Sequence, residues 1–237
     1  MTALDLSTAI REPAPGASGA PICGAGYVKG WGVSGLPFDS GHVLALRVFP
    51  ESDTGAYRSL WHRDPAGDWR MYVHDAHVNS ACARYFGAGA RSVDFADIDV
   101  EWVGPASVRV RVDTPKLDWT FTASTTPLLR MINSLSERMP MWTWRPSAMI
   151  RARELMARGL GMGDMRLSGI TPSGHHVVQM PRRMYYVDES TAVLDGEDLG
   201  RPAHVAVNPT MRFTTFPARG VFAIGQAAWQ SAPRSRT

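Results

Sequence analysis

The sequence predicts a mainly β, α+β fold: an antiparallel β-barrel or strongly curved sheet with two or three helices packed outside. Residues 97–122 alternate apolar and charged side chains through three successive runs, which is the period of half-buried strands. Gly/Pro turns separate the runs, and helix-start signals appear only after them, at Thr126-Pro127 and Pro146. At 237 residues and 26.0 kDa the chain can bury a sizeable core without covalent staples.

The elements follow in order. Residues 1–21, Pro/Gly/Ala-rich from Arg11 onward, read as a flexible amino-terminal arm, 22–230 as a single domain, and the 231–237 tail as flexible. GHVLALRVF at 41–49 reads as a strand. Residues 56–75 read as a hairpin turning at Pro65-Ala66-Gly67. Pairing Asp64 with Asp68 puts Arg58, Leu60, His62, Arg70, Tyr72 and His74 on one face. Tyr57, Ser59, Trp61, Arg63, Trp69, Met71, Val73 and Asp75 share the other.

The meander can be registered on paper. A three-residue loop at 104–106 sets Trp102 opposite Val108, Glu101 opposite Arg109, Val100 opposite Val110 and Asp99 opposite Arg111. Continuing, Val112 meets Leu117, Arg111 meets Asp118 and Val110 meets Trp119. One face is then dry and the other ionic. The acids Asp97, Asp99 and Glu101 are read as members of solvated charge pairs, and no metal is assigned to them.

A helix is expected from Thr126-Pro127 to Pro140, with Leu128, Leu129, Ile132 and Leu135 as its apolar stripe, and a second from Pro146 to Arg158, stopped by Gly159. MPMWTW at 139–144 reads as a hydrophobic seal between helices and sheet. Residues 165–171 and 175–180 flank a turn, 182–188 and 190–194 read as two strands, and 221–225 as a closing strand.

Several functions are disfavoured. The net charge of +3 and pI near 9.1 come from arginines scattered among acids, without the like-charge run of a nucleic-acid patch. No apolar stretch has the length of a signal peptide or a bilayer span, so neither nucleic acid nor membrane is expected as partner, and the expected compartment is cytoplasmic. Two cysteines, Cys23 and Cys82, suggest neither a disulfide framework nor zinc. The glycine clusters lack dinucleotide-loop spacing, and there is no P-loop, no G-x-S-x-G and no H-E-x-x-H. No cofactor is expected.

The chemistry-bearing candidates gather on the first hairpin, where His62, His74 and His77 fall within one short segment. An imidazole titrates near neutrality and can move protons, and a neighbouring carboxylate such as Asp75 can orient it. Tyr72, Arg70 and Arg84 are candidates to stabilise developing negative charge. A metal site on His62, His74 and His77 would need the chain to leave the strand after His74, because three residues along a strand reverse the face. The plain alternative is a set of histidines hydrogen-bonded within a mixed strand. Trp102, Val110, Trp119 and Phe121, with His77 at the rim, are the expected lining of a ligand space inside the curl.

From Arg70 to Val112 the order of parts resembles the acetoacetate decarboxylase-like superfamily: a strand ending in MYVHD, a short helix ACARYFG ending in glycine, then the meander. The resemblance implies a closed, cone-like β-barrel with helices outside and an active-site mouth near His74–Arg91. In that family the glycine is followed by Pro-Lys, whose lysine forms a Schiff base with a keto acid. Here Gly87-Ala88-Gly89-Ala90-Arg91 stands in that place, and the Arg-Glu of the family's helix is at best Ala83-Arg84. An arginine cannot serve as the amine nucleophile, so imine decarboxylation is not expected. A lipocalin-like or calycin-type barrel is the competing resemblance.

Two functions fit these readings. One is a cofactor-independent enzyme of lyase, hydratase, isomerase or cyclase type, working by acid/base chemistry on a small, largely apolar carbonyl-bearing or isoprenoid-like molecule. The other is a non-catalytic carrier of a hydrophobic small molecule. A homo-oligomer is compatible with either. A third possibility is a structural or interaction protein with no ligand, which a barrel packed solid with side chains would favour.

Overall fold

The computed structural model describes residues 5–7, 26–77 and 81–230; the 231–237 tail, Cys23 and most of the expected arm lie outside them. In chain order the strands are β1 (Gly26–Pro37), β2 (Val43–Ser52), β3 (Tyr57–Arg63), β4 (Trp69–His74), β5 (Ser92–Phe95), β6 (Ile98–Trp102), β7 (Ser107–Val112), β8 (Leu117–Ser124), β9 (Ser168–Ile170), β10 (His176–Leu194), β11 (Glu197–Asp198), β12 (Thr210–Met211), β13 (Thr214–Thr215) and β14 (Val221–Gln230). The helices are α1 (Ala81–Phe86), α2 (Pro127–Arg138) and α3 (Ser147–Gly159).

One sheet runs β5-β4-β3-β2-β1-β14-β10-β8-β7-β6, with β9 and β11 attached to β10. Its two end strands are joined by only Ala96 and Asp97, so the sheet has to curl until its ends approach. Single bonds, with no strand ladder among the described residues, stitch the seam: Arg58 Nη1 donates to Ile98 O at 2.7 Å, and the Ile98 N–H to His74 Nδ1 at 3.2 Å. The result is a mainly β, curled half-barrel with three helices.

The meander adopts the register derived above, with Trp102↔Val108, Glu101↔Arg109, Val100↔Val110, Val110↔Trp119 and Arg111↔Asp118. Its apolar residues turn into the curl and join Leu44, Leu46, Leu60, Tyr72, Tyr185 and Phe222 in the largest core cluster. Trp119 is fully buried, and its indole N–H reaches Ser190 Oγ at 2.9 Å. Each such side chain contributes roughly 1.5–3 kcal/mol on burial. Leu6, in the expected arm, is also buried in this cluster and is held by its N–H on Pro105 O at 2.7 Å.

Along β2 the partners alternate. Leu44, Leu46 and Val48 face the curl, while Val43, Ala45 and Phe49 join Tyr57, Trp61, Trp69, Met71 and Trp229 in a second cluster on the outer face. The outer face is covered by α1, the β12–β13 hairpin and the two longer helices, whose Leu129 and Ile150, with Trp144 from the turn between them, pack with Met180, Met184 and Tyr186 of β10.

Two expectations about the later elements change. Residues 182–188 and 190–194 belong to one long strand, β10, whose register slips between Val187 and Glu189. In α2 the expected stripe is split: Leu129 is buried, but Leu128 and Leu135 are exposed and Asn133 faces inward. The reason is a backbone requirement. Between its pairings with β9 and β8, β10 has an open edge, and the Asn133 amide fills it by accepting from Met184 N and donating to Met184 O, both at 2.9 Å. That fixes the helix rotation, because residue 129 lies one turn from 133 on the same face.

Candidate functional site

Strand β1 was not anticipated, since its four glycines break any apolar alternation. They are there for proximity: a Cβ on Gly30 would lie 2.0 Å from Val48 O, and one on Gly32 2.0 Å from Leu46 O. The register slips between Lys29 and Trp31, between Trp31 and Leu36, and against β14 between Val33 and Gly35. These irregularities bend the strand and turn carbonyls away from the ladder.

Arg47, on the outer face of β2, fills the bend. Its Nη1 donates to Val33 O at 2.5 Å and Leu46 O at 3.0 Å, and its Nη2 to Ser34 O at 3.1 Å. The guanidinium lies 5.1 Å from the Trp61 ring centroid. Burial pulls its pKa down from the ordinary arginine value, although a guanidinium stays protonated in a protein. Beside it Tyr57 Oη and Cys82 Sγ are 3.1 Å apart, and burial pushes both of their pKa values up, leaving both neutral.

Arg47 borders a cavity of about 110 Å³, open on one side, between the glycine-rich floor of β1 and β14 and the covering segments. Its walls are apolar and aromatic, with Trp61, Phe86, Met180, Phe216 and Trp229 prominent, and Ser34, Gln179, Gln226, Thr214 and Thr215 supply polar atoms. Among the described residues Arg47 is the one charged side chain in the lining, and no carboxylate is present there. Trp229 is 4 % exposed, stacks on Tyr85 at 4.5 Å, and its buried indole N–H has no acceptor among the described residues.

The expected site residues stand elsewhere. Arg58, Leu60, His62, Arg70, Tyr72 and His74 share one face through the register Arg58↔His74, Leu60↔Tyr72 and His62↔Arg70. That face looks into the curl. His62 is buried with His42, the rings stacked at 5.1 Å and His42 Nδ1 2.8 Å from His62 Nε2. Burial, then the nearby His42 and Arg70 charges, lower the His62 pKa to about 4. Arg70 Nη1 reaches Asp64 at 3.4 Å.

His74 belongs to the seam, its ring between Asp75 and Asp97, each at 3.1 Å. Asp75 ends β4 in the left-handed region at φ 64°, which aspartate tolerates. Arg84 is exposed on α1 over the Tyr85 ring, and His77 is exposed beyond β4. Among the described residues no group of three or more His, Cys, Asp or Glu side chains is arranged to hold a metal ion.

Trp102, Val110, Trp119 and Phe121 fill the curl itself. Trp102 is half-buried against Trp31 at 5.4 Å, and the other three are buried. None of these, and none of the hairpin candidates, lines the cavity on the outer face. Sequence reasoning missed Arg47 because it sits in a strand with no acidic neighbour and no motif around it. The one available signal was a single charge inside GHVLALRVF.

Comparison with models of protein families, with curated proteins and with solved structures gives no match.

Proposed function

We propose that the protein binds a small, largely apolar molecule in the cavity between the outer face of β1, β2, β10 and β14 and the segments that cover it. The observation that carries this reading is the hollow itself. Aromatic and Met side chains surround it, the floor is glycine, and a few polar groups converge on its edge, which is the composition of a small-molecule site. Its size suits a ring or a short chain, since an apolar cavity of about 150 Å³ accepts benzene. The carrier reading needs no proton-transfer group. An acid/base enzyme built on His62 and His74 would work from the opposite face of the sheet.

Ala227 lines the cavity from β14, and Ala227→Phe fills it from the side. Calorimetric titration with a small neutral aromatic such as indole is expected to show saturable one-to-one binding to the wild type. About tenfold or greater weakening is expected in the variant, at equal thermal stability, because the lost contacts are worth on the order of 1.4 kcal/mol or more. Binding that ignores the substitution would place the ligand elsewhere.

A further inference from the structure

We propose that the ligand carries a carboxylate or similar acid end, held by Arg47; this rests on the cavity being the binding site. The guanidinium has five N–H donors, and its three backbone bonds leave Nε–H and one Nη2–H unpaired among the described residues. These two sit on adjacent nitrogens, the arrangement that grips a carboxylate with two parallel bonds. The cavity supplies no acid, and its other nearby titratable groups, the Cys82 thiol and the Tyr57 phenol, are neutral. A cation is therefore enclosed against apolar walls, offset by backbone carbonyls and the Trp61 ring and by no carboxylate among the described lining residues, and an entering anion would complete the pair.

Trp229 gives an independent sign of the same polarity. A buried indole N–H with no acceptor among the described residues is unusual in a native fold and calls for a functional reason. Trp229 belongs to the same lining, so two separate strands, β2 and β14, each bring a side chain with unpaired N–H groups to it. A ligand with acceptor oxygens satisfies such walls. An amine does not, because it would meet a fixed positive charge, and an alcohol brings no countercharge.

The test is a matched series on the intact protein by calorimetric titration: phenylpropanoate, phenylpropanol and phenylpropylamine, which share ring and chain and differ in the end group. The acid is expected to bind the wild type about tenfold or more tighter than the alcohol, the increment of a charge-assisted bond, with the amine weakest. Arg47→Met is expected to erase the difference between acid and alcohol while keeping alcohol binding.

Equal binding of acid and alcohol to the wild type overturns the anion assignment and leaves the cavity standing, as does an acid preference that survives in Arg47→Met. Failure of all three to bind overturns both readings. Should Arg47→Met not fold, because Val33 and Ser34 lose their donor, the wild-type series decides alone.

Discussion

The two faces of the curled sheet share strands and differ in what fills them. On the inner face Val110, Trp119 and Phe121 of the meander are buried together with Leu44, Leu46 and Phe222 from the far side in one core cluster. On the outer face the strands are lined by glycine where they cross, and the covering segments stand off far enough to leave a hollow bounded by Arg47 and Trp229. An uninterrupted β-branched and aromatic alternation builds a solid interior, and a strand with its side chains removed builds a recess. In this fold the ligand space follows the glycines, while the richest apolar pattern marks the packed core.

The comparison is broken most directly at its solid end. Trp119→Ala is expected to cost about 3–5 kcal/mol of stability, seen as a lower urea midpoint, without changing ligand affinity of the folded protein. A loss below about 1 kcal/mol would mean that the inner face is not the close-packed one.

His62 tests the same face through pH. Its pKa is depressed in the fold, to about 4, against about 6.5 unfolded, so the unfolded chain binds the extra proton first. The stabilising preference for the neutral ring is complete above pH 6.5 and is lost as pH falls toward 4, by up to about 3 kcal/mol. Denaturant titrations across that window are expected to show the decline in the wild type and a flatter profile in His62→Gln; equal slopes would detach the histidine pair from acid sensitivity.

The smallest effect belongs to the hollow face. Trp229→Phe removes an unpaired buried N–H while keeping an aromatic ring to stack on Tyr85. It is expected to leave the ligand-free protein equal in stability or about 1 kcal/mol more stable, measured by thermal unfolding. A clear loss would show that the indole nitrogen has an acceptor in the ligand-free state.

The meander was legible residue by residue because each of its strands is half-buried and a one-residue slip would reverse every side chain. The first hairpin was equally legible in register, with Asp64 N on Asp68 O at 3.0 Å. What its mixed faces did not reveal was which side looks into the curl. The buried face of α2 was not legible, since Asn133 outranks the more apolar Leu128 and Leu135 only because β10 has an open edge to satisfy. The cavity was hidden most deeply, as Arg47, Cys82, Phe216 and Trp229 come from four separate stretches and no spacing links them.

The amino-acid sequence by itself determined which segments are strands in the meander, their register, the turns between them and the sites where helices begin. These depend on alternation and on local backbone chemistry, both written within a few neighbouring residues. Only the tertiary structure decided that the ends of the sheet meet at Ala96-Asp97, which side of each strand is enclosed, and where space is left over. Enclosure is a property of surfaces brought together from distant parts of the chain, and a hollow consists of side chains that are missing, which leaves no periodic mark in a sequence.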